Sequence, residues 1–119
     1  MAAAVDNQVP DLPIVGLRVA VSEQGTTTTI VLEGEWDLAG QQAARDAMGH
    51  ALRRKPECLV LDLSRLTFID SSGVHIAMEI ARRSVAQSFR LVIVPAPKPA
   101  QRIFEICGLT EFLPSAAQV

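Results

Sequence analysis

The chain has 119 residues, of which 49% are hydrophobic, and this size suits one compact domain with a core of its own. Thirteen acidic residues against eleven basic ones give a formal charge of −2, which argues against a protein that binds nucleic acid irrespective of sequence, because such proteins carry basic stripes. No run reaches the ~18 apolar residues of a membrane span, and the first residues lack the features of a secretory signal, so the sequence predicts a cytoplasmic protein.

The first ordered segment is predicted to be a hairpin. Residues 1–14 show no periodicity and are expected to form a flexible arm, followed by one domain over residues 15–115 and a tail over residues 116–119. An alternating run at 17–21 and a β-branched run at 27–35 flank a turn, which predicts two antiparallel strands. Their core-facing side chains are Val19, Val21, Ile30 and Leu32.

A helix and a buried strand come next. Asp37 is the predicted N-cap of a helix over residues 38–53, whose apolar positions recur at helical spacing. Residues 58–63 are nearly all apolar, which predicts a strand covered on both faces and parallel to the preceding strand. The apolar helix positions are Leu38, Ala44, Met48, Ala51 and Leu52.

The second half of the chain continues the alternation of helices and strands. A helix is predicted from Asp70 to about Gln87, and then a short apolar strand at 90–94 that is central or covered. A last helix is predicted from Pro99 to Gly108. The element order is therefore β-β-α-β-α-β-α in a single α/β domain. The predicted inner residues are Val74, Ala77, Met78, Ala81 and Val85 in the first of these helices, and Ala100, Ile103, Phe104 and Cys107 in the last.

The polar segment Asp70-Ser71-Ser72-Gly73 lies where the buried strand gives way to a helix. The Asp70 carboxylate suits the N-cap, where it would accept from the N–H groups of Ser72 and Gly73, and Ser71 then takes the first helical position. Helix starts carry unpaired N–H donors and a partial positive charge, which would stabilise a phosphate on Ser71. The same residues are also ordinary capping chemistry, so both interpretations stay open at this point.

Asp37 and Asp70 each follow a strand of the predicted parallel pair, and the carboxyl ends of such strands gather at one edge of the sheet. We therefore expect both carboxylates near Ser71. Trp36, the only tryptophan, is expected to cover the core rather than to anchor a partner.

A catalytic interpretation has little support. Ser71 and His75 are four residues apart and could meet on one helix face, but the chain has no G-x-S-x-G elbow and no second candidate base except His50. The two histidines and the cysteines Cys58 and Cys107 lack metal-ligand spacing, and the cysteines are expected to be buried thiols. We predict no catalytic residue, metal or cofactor.

Four segments together resemble the STAS family, in particular bacterial anti-sigma factor antagonists. They are Gly-Glu-Trp-Asp at 34–37, the apolar strand at 59–63, Phe-Ile-Asp-Ser-Ser-Gly at 68–73, and Ile-Phe-Glu-Ile-Cys-Gly-Leu at 103–109. The resemblance covers about residues 15–115. It implies a mixed four-stranded β-sheet packed with helices, which matches the element order above.

The resemblance also implies a stress-response function in transcription regulation by partner switching. The unphosphorylated protein would bind an anti-sigma factor that is also a serine kinase, which frees a sigma factor, and phosphorylation of Ser71 would end binding until a phosphatase restores the serine. The implied surroundings of the phosphorylation site are Trp36, Asp37, Asp70, Ser72, Gly73 and His75. Family members often have Leu where Trp36 stands and a small residue near His75. Other STAS proteins are scaffolds of stress-signalling assemblies or subunits of lipid-transport complexes, which leaves a function without a phosphoswitch as the alternative.

Overall fold

The computed structural model describes residues 16–106, apart from the side chain of Phe104. The predicted arm, the tail, Cys107 and Gly108 lie outside the described residues. The elements follow the predicted order, with one additional 3₁₀ turn. They are β1 (Leu17–Gln24), β2 (Thr27–Trp36), the 3₁₀ turn (Leu38–Gly40), α1 (Gln41–Arg53), β3 (Cys58–Ile69), α2 (Ser71–Gln87), β4 (Arg90–Val94) and α3 (Lys98–Ile106).

The four strands form one mixed sheet in the order β1-β2-β3-β4. β1 and β2 are an antiparallel hairpin, whereas β3 is parallel to both β2 and β4. Val19 lies opposite Leu32, and Val21 lies opposite Ile30, as the apolar alternation predicted. The mixed sheet and the parallel pair of β2 and β3 are confirmed.

The core lies between the sheet and the first two helices. α1 contacts β1, β2 and α2, while α2 contacts β3 and β4. Each strand contributes alternate side chains to the core, because successive residues of a strand point to opposite faces. The largest fully buried side chains include Trp36, Ile30, Leu32, Leu59, Leu61, Leu63, Ile76, Ile80 and Ile93.

β3 differs from its prediction in length and in burial. It runs on to Ile69, although β4 pairs with it only as far as Asp62. Leu59, Leu61 and Leu63 are buried, while the alternate residues Cys58, Val60 and Asp62 are half-buried, so only one face is fully covered. The prediction of a strand covered on both faces is therefore wrong, and Cys58 is a half-buried free thiol.

β4 is also not central, because it forms one edge of the sheet. Ile93 is buried, but Arg90 is exposed and Leu91, Val92 and Val94 are half-buried. A short apolar sequence is thus compatible with an edge position when only one face meets the helices.

Two predicted helix positions are exposed rather than buried. Leu38 is 70% exposed, because it belongs to the 3₁₀ turn and not to the amphipathic helix α1. Val85 is 76% exposed, because the buried stripe of α2 instead passes through Ile80 and Ser84. The Ser84 hydroxyl is satisfied in the core by donating to Ala81 O at 2.6 Å.

The last described helix, α3, contacts β3. Ala100 is buried and Ile103 packs against the core, as predicted. No helix within residues 16–106 is both long and apolar enough to cross a membrane.

Candidate functional site

The site begins where β2 and β3 end side by side. Trp36 and Ile69, the last residues of the two strands, are paired in the sheet. The next residues are Asp37 and Asp70, and Asp70 N donates to Trp36 O at 3.1 Å. The structure therefore brings the two carboxylates together at the carboxyl ends of β2 and β3, as the sequence predicted.

Each of these carboxylates caps a helical segment. Asp70 has extended backbone, and its Oδ1 accepts from Ser72 N at 2.8 Å, while its carbonyl oxygen accepts from Val74 N at 3.2 Å. Asp37 Oδ1 accepts from Ala39 N at 3.1 Å at the 3₁₀ turn. The predicted cap of Asp70 on α2 is confirmed, except that Gly73 N donates no hydrogen bond to it. The prediction that Asp37 caps the helix over residues 38–53 is wrong, because Asp37 caps the 3₁₀ turn, whereas α1 begins at Gln41 after Gly40, which makes no side-chain capping bond.

Ser71 is the first residue of α2 and is exposed, whereas Ser72 is half-buried. The Ser71 hydroxyl therefore lies at the positive end of a 17-residue helix, on an exposed residue. His75 is exposed one turn later, and no hydrogen bond joins it to Ser71 among the described contacts. Nothing in this geometry activates the hydroxyl as a nucleophile.

Trp36 and Gly73 form the buried floor of the site. Trp36 is only 1% exposed, so the prediction that it covers the core is confirmed and it is not itself a docking residue. Gly73 is buried against it: a β-carbon at Gly73 would lie 2.8 Å from Trp36 Cδ2. The start of α2 therefore packs closely on the end of β2.

Two exposed apolar side chains at this end of the sheet were not predicted. Leu38 follows Asp37 and is 70% exposed, and Phe68 precedes Ile69 and is 48% exposed. Register shifts in the pairing of β2 and β3 leave Phe68 opposite Glu35, whose side chain is also exposed. The sequence does place an apolar residue near each capping aspartate. It gives no sign of the register shifts between β2 and β3 that leave Phe68 opposite Glu35.

The charges near the two caps are mainly negative. Glu35, Asp37 and Asp70 place three carboxylates at the ends of β2 and β3. The described residues 16–106 contain no group of three His, Cys, Asp or Glu side chains that could hold a metal ion. An exposed hydroxyl at a helix N-terminus, next to acidic and apolar side chains, suits covalent modification and protein docking better than turnover of a small molecule.

Comparison with protein-family models identifies the family of this chain. Residues 19–114 match a family model described as "Mlab, STAS domain". The chain belongs to the STAS family. The family predicted from the four sequence segments is confirmed.

Relatives and solved structures agree with that assignment. Over 93 residues the chain is 27% identical to the anti-sigma-F factor antagonist RsfB of Mycobacterium tuberculosis, which covers 78% of this chain and 75% of the relative. A crystal structure of an anti-sigma factor antagonist from Mycobacterium paratuberculosis superposes with a TM-score of 0.73 at 24% identity, covering 82% of this chain and 83% of that one.

The same fold occurs in SpoIIAA, an anti-sigma factor antagonist. Its unphosphorylated form superposes with a TM-score of 0.69 at 24% identity, covering 81% of this chain and 85% of that one. A structure of Bacillus SpoIIAA in the phosphorylated form superposes with a TM-score of 0.67 at 22% identity, covering 81% and 88% of the two chains. These likenesses show that the chain has the fold of these proteins.

Proposed function

We propose that this STAS protein is an anti-sigma factor antagonist that acts by partner switching. In its unphosphorylated form it binds an anti-sigma factor that is also a serine kinase, and this binding releases a sigma factor. Phosphorylation of Ser71 ends the interaction, and a phosphatase restores it. The observation that carries the proposal is the exposed Ser71 hydroxyl at the capped N-terminus of α2.

The position of Ser71 suits a kinase substrate. A kinase needs a hydroxyl that it can place in line with the γ-phosphate of ATP, so the acceptor must be accessible. Ser71 is exposed, whereas the neighbouring Ser72 is half-buried and gives its backbone N–H to Asp70. Ser71 is therefore the better acceptor of the two.

The fold can hold a phosphate at this position. The first N–H groups of α2 have no intrahelical partners, and the helix dipole favours negative charge there. Asp70 already uses the Ser72 N–H, which leaves the N–H groups of Ser71 and Gly73 for phosphate oxygens. Phosphorylation should consequently leave the domain folded.

The same phosphate should oppose docking. It adds nearly two negative charges beside Asp70 and Asp37. In the kinase, the phosphates of the bound nucleotide lie next to Ser71 and would also repel the new phosphate. Like charges at an interface cost several kcal/mol, and ~3 kcal/mol already weakens binding about a hundredfold. The switch would thus act through the surface and not through unfolding.

The modification site is tested by incubating the wild type, Ser71→Ala and Ser72→Ala with the cognate kinase and ATP, followed by intact mass measurement. We expect one phosphate on the wild type and on Ser72→Ala, and none on Ser71→Ala. Ser72→Ala is the matched control because it removes the adjacent hydroxyl and keeps the backbone N–H that Asp70 binds. If Ser71→Ala gains phosphate to the same extent as the wild type, the site is Ser72 or a threonine.

Docking is tested with the same partner. Ser71→Ala should bind the anti-sigma factor as the unmodified wild type does, while Ser71→Glu should bind far more weakly and stay folded. Undiminished binding by Ser71→Glu would count against the electrostatic mechanism.

A second candidate function is that of a structural STAS subunit in a larger complex, either a stress-signalling scaffold or a lipid-transport assembly. The family model that matches residues 19–114 carries the name Mlab as well as STAS, which favours keeping this candidate. In that case Ser71 is only the residue after a cap, and no phosphate is gained from any cognate kinase. The intact mass measurement therefore separates the two functions.

A further inference from the structure

The first turn of α2 rests directly on the indole ring of Trp36. A β-carbon at Gly73 would lie 2.8 Å from Trp36 Cδ2 and 2.9 Å from Ile69 Cγ1. Carbon atoms in contact normally stay ~3.5–4.0 Å apart. The indole is rigid and only 1% exposed, so it cannot swing into solvent to make room. The missing side chain of Gly73 is what allows α2 to begin this close to the end of β2.

Trp36 also holds the start of α2 through its backbone. Its carbonyl oxygen accepts from Asp70 N at 3.1 Å, and Asp70 in turn caps the helix with a 2.8 Å bond from Ser72 N. Ser71 lies between these two bonded residues. Its position relative to the helix N–H groups therefore depends on Trp36 on one side and on Gly73 on the other.

The indole contributes here through its shape. Trp36 Nε1 is buried and has no acceptor among the described residues, although a buried N–H without a partner opposes folding. A smaller apolar side chain would avoid that penalty. The distinctive contribution of the ring is the flat surface on which Gly73 packs.

We propose that Trp36 and Gly73 form a positioning contact that sets the place of Ser71 at the helix N-terminus, and so controls how readily Ser71 accepts a phosphate. Trp36 is buried and Gly73 has no side chain, so both act through Ser71 and are positioning residues. The part that concerns phosphorylation rests on the proposed function, whereas the part that concerns geometry does not.

The geometric part is tested with a Ser71→Cys reporter in a background of Cys58→Ser and Cys107→Ser. A thiol at a helix N-terminus has a lowered pKa, and its thiolate reacts with iodoacetamide. Adding Gly73→Ala should slow alkylation at neutral pH roughly threefold or more, because the first-turn N–H groups move away from position 71.

Gly49→Ala in α1 is the matched control. A β-carbon there meets only Arg53 Nη1, at 3.7 Å, which is ordinary contact distance. This variant makes the same chemical change in another helix and should leave the alkylation rate of the reporter unchanged. Thermal unfolding followed by circular dichroism confirms that each variant is folded.

Rescue distinguishes positioning from general damage. Trp36→Leu replaces the rigid ring with a shorter side chain that can turn away from a β-carbon. In this background Gly73→Ala should slow alkylation little. Trp36→Met, which is unbranched and flexible, serves the same purpose if Trp36→Leu does not fold.

The phosphorylation part uses the same substitutions with Ser71 intact, a cognate serine kinase and ATP. Gly73→Ala should lower kcat/KM about tenfold, mainly through kcat, because the docking surface remains while the hydroxyl is misplaced. Trp36→Leu should restore most of this loss.

An unchanged alkylation rate in Gly73→Ala, or a slowed rate that neither Trp36 variant restores, would overturn the positioning contact. A wild-type chain that takes no phosphate, combined with the expected alkylation rates, would remove the proposed function and leave the positioning contact standing.

Discussion

Asp70 is the N-cap of α2. Its Oδ1 accepts from Ser72 N at 2.8 Å, and its own N–H reaches back to Trp36 O at 3.1 Å. The side-chain bond satisfies one donor that the helix itself cannot. Asp70 is thus the N-cap after which α2 begins, with Ser71 as the first helical residue.

Asp70→Ala should lower the free energy of unfolding by about 1 kcal/mol, because it removes the N-cap acceptor. The measurement is equilibrium unfolding in urea. Asp70→Asn is the control, since an amide oxygen also caps a helix and should retain most of the stability. Equal stability of Asp70→Ala and the wild type would show that the 2.8 Å bond contributes nothing.

The sequence predicted the polar residues of the site better than its apolar ones. Asp37, Asp70 and Ser71 were predictable because a short polar segment between an apolar strand and a periodic helix signals a cap. The exposed Phe68 was not, because it depends on register shifts between β2 and β3. The contact between Trp36 and Gly73 was also not predictable, since it is a tertiary distance that no periodicity encodes.

At the scale of elements, the order was predictable and one strand end was not. The apolar run predicts that β3 ends at Leu63, because Ser64 and Arg65 interrupt it. The strand in fact continues to Ile69, since β2 still pairs with it after β4 has ended. Bulges break the alternation of side chains there, so the apolar pattern loses the period that marks a strand.

The C-terminal end of α2 carries strain that a substitution should relieve. Ser88 has φ of 60°, in the left-handed region that disfavours residues with a β-carbon. Ser88→Gly should raise the free energy of unfolding by about 0.5–1 kcal/mol, since glycine adopts this conformation readily. Thermal or urea unfolding would show it. Ser88→Ala should give no such gain, and stabilisation by both variants would point to a cause other than φ.

At the scale of the whole molecule, the proposed switch lies at one end of a sheet whose core does not depend on it. The buried side chains of β3 and β4 continue along the sheet away from Ser71, and α2 contacts both strands. Ser71 itself is exposed. A charge added there can change what the protein binds while its core stays intact.

The most direct measurement is the affinity of one preparation for its anti-sigma factor before and after stoichiometric phosphorylation, with urea unfolding of both samples. We expect binding to weaken roughly a hundredfold or more on phosphorylation, while the free energy of unfolding changes by less than about 1 kcal/mol. Equal affinity of the two forms, or a loss of binding that accompanies unfolding of the phosphorylated protein, would contradict a switch that acts through the surface at Ser71.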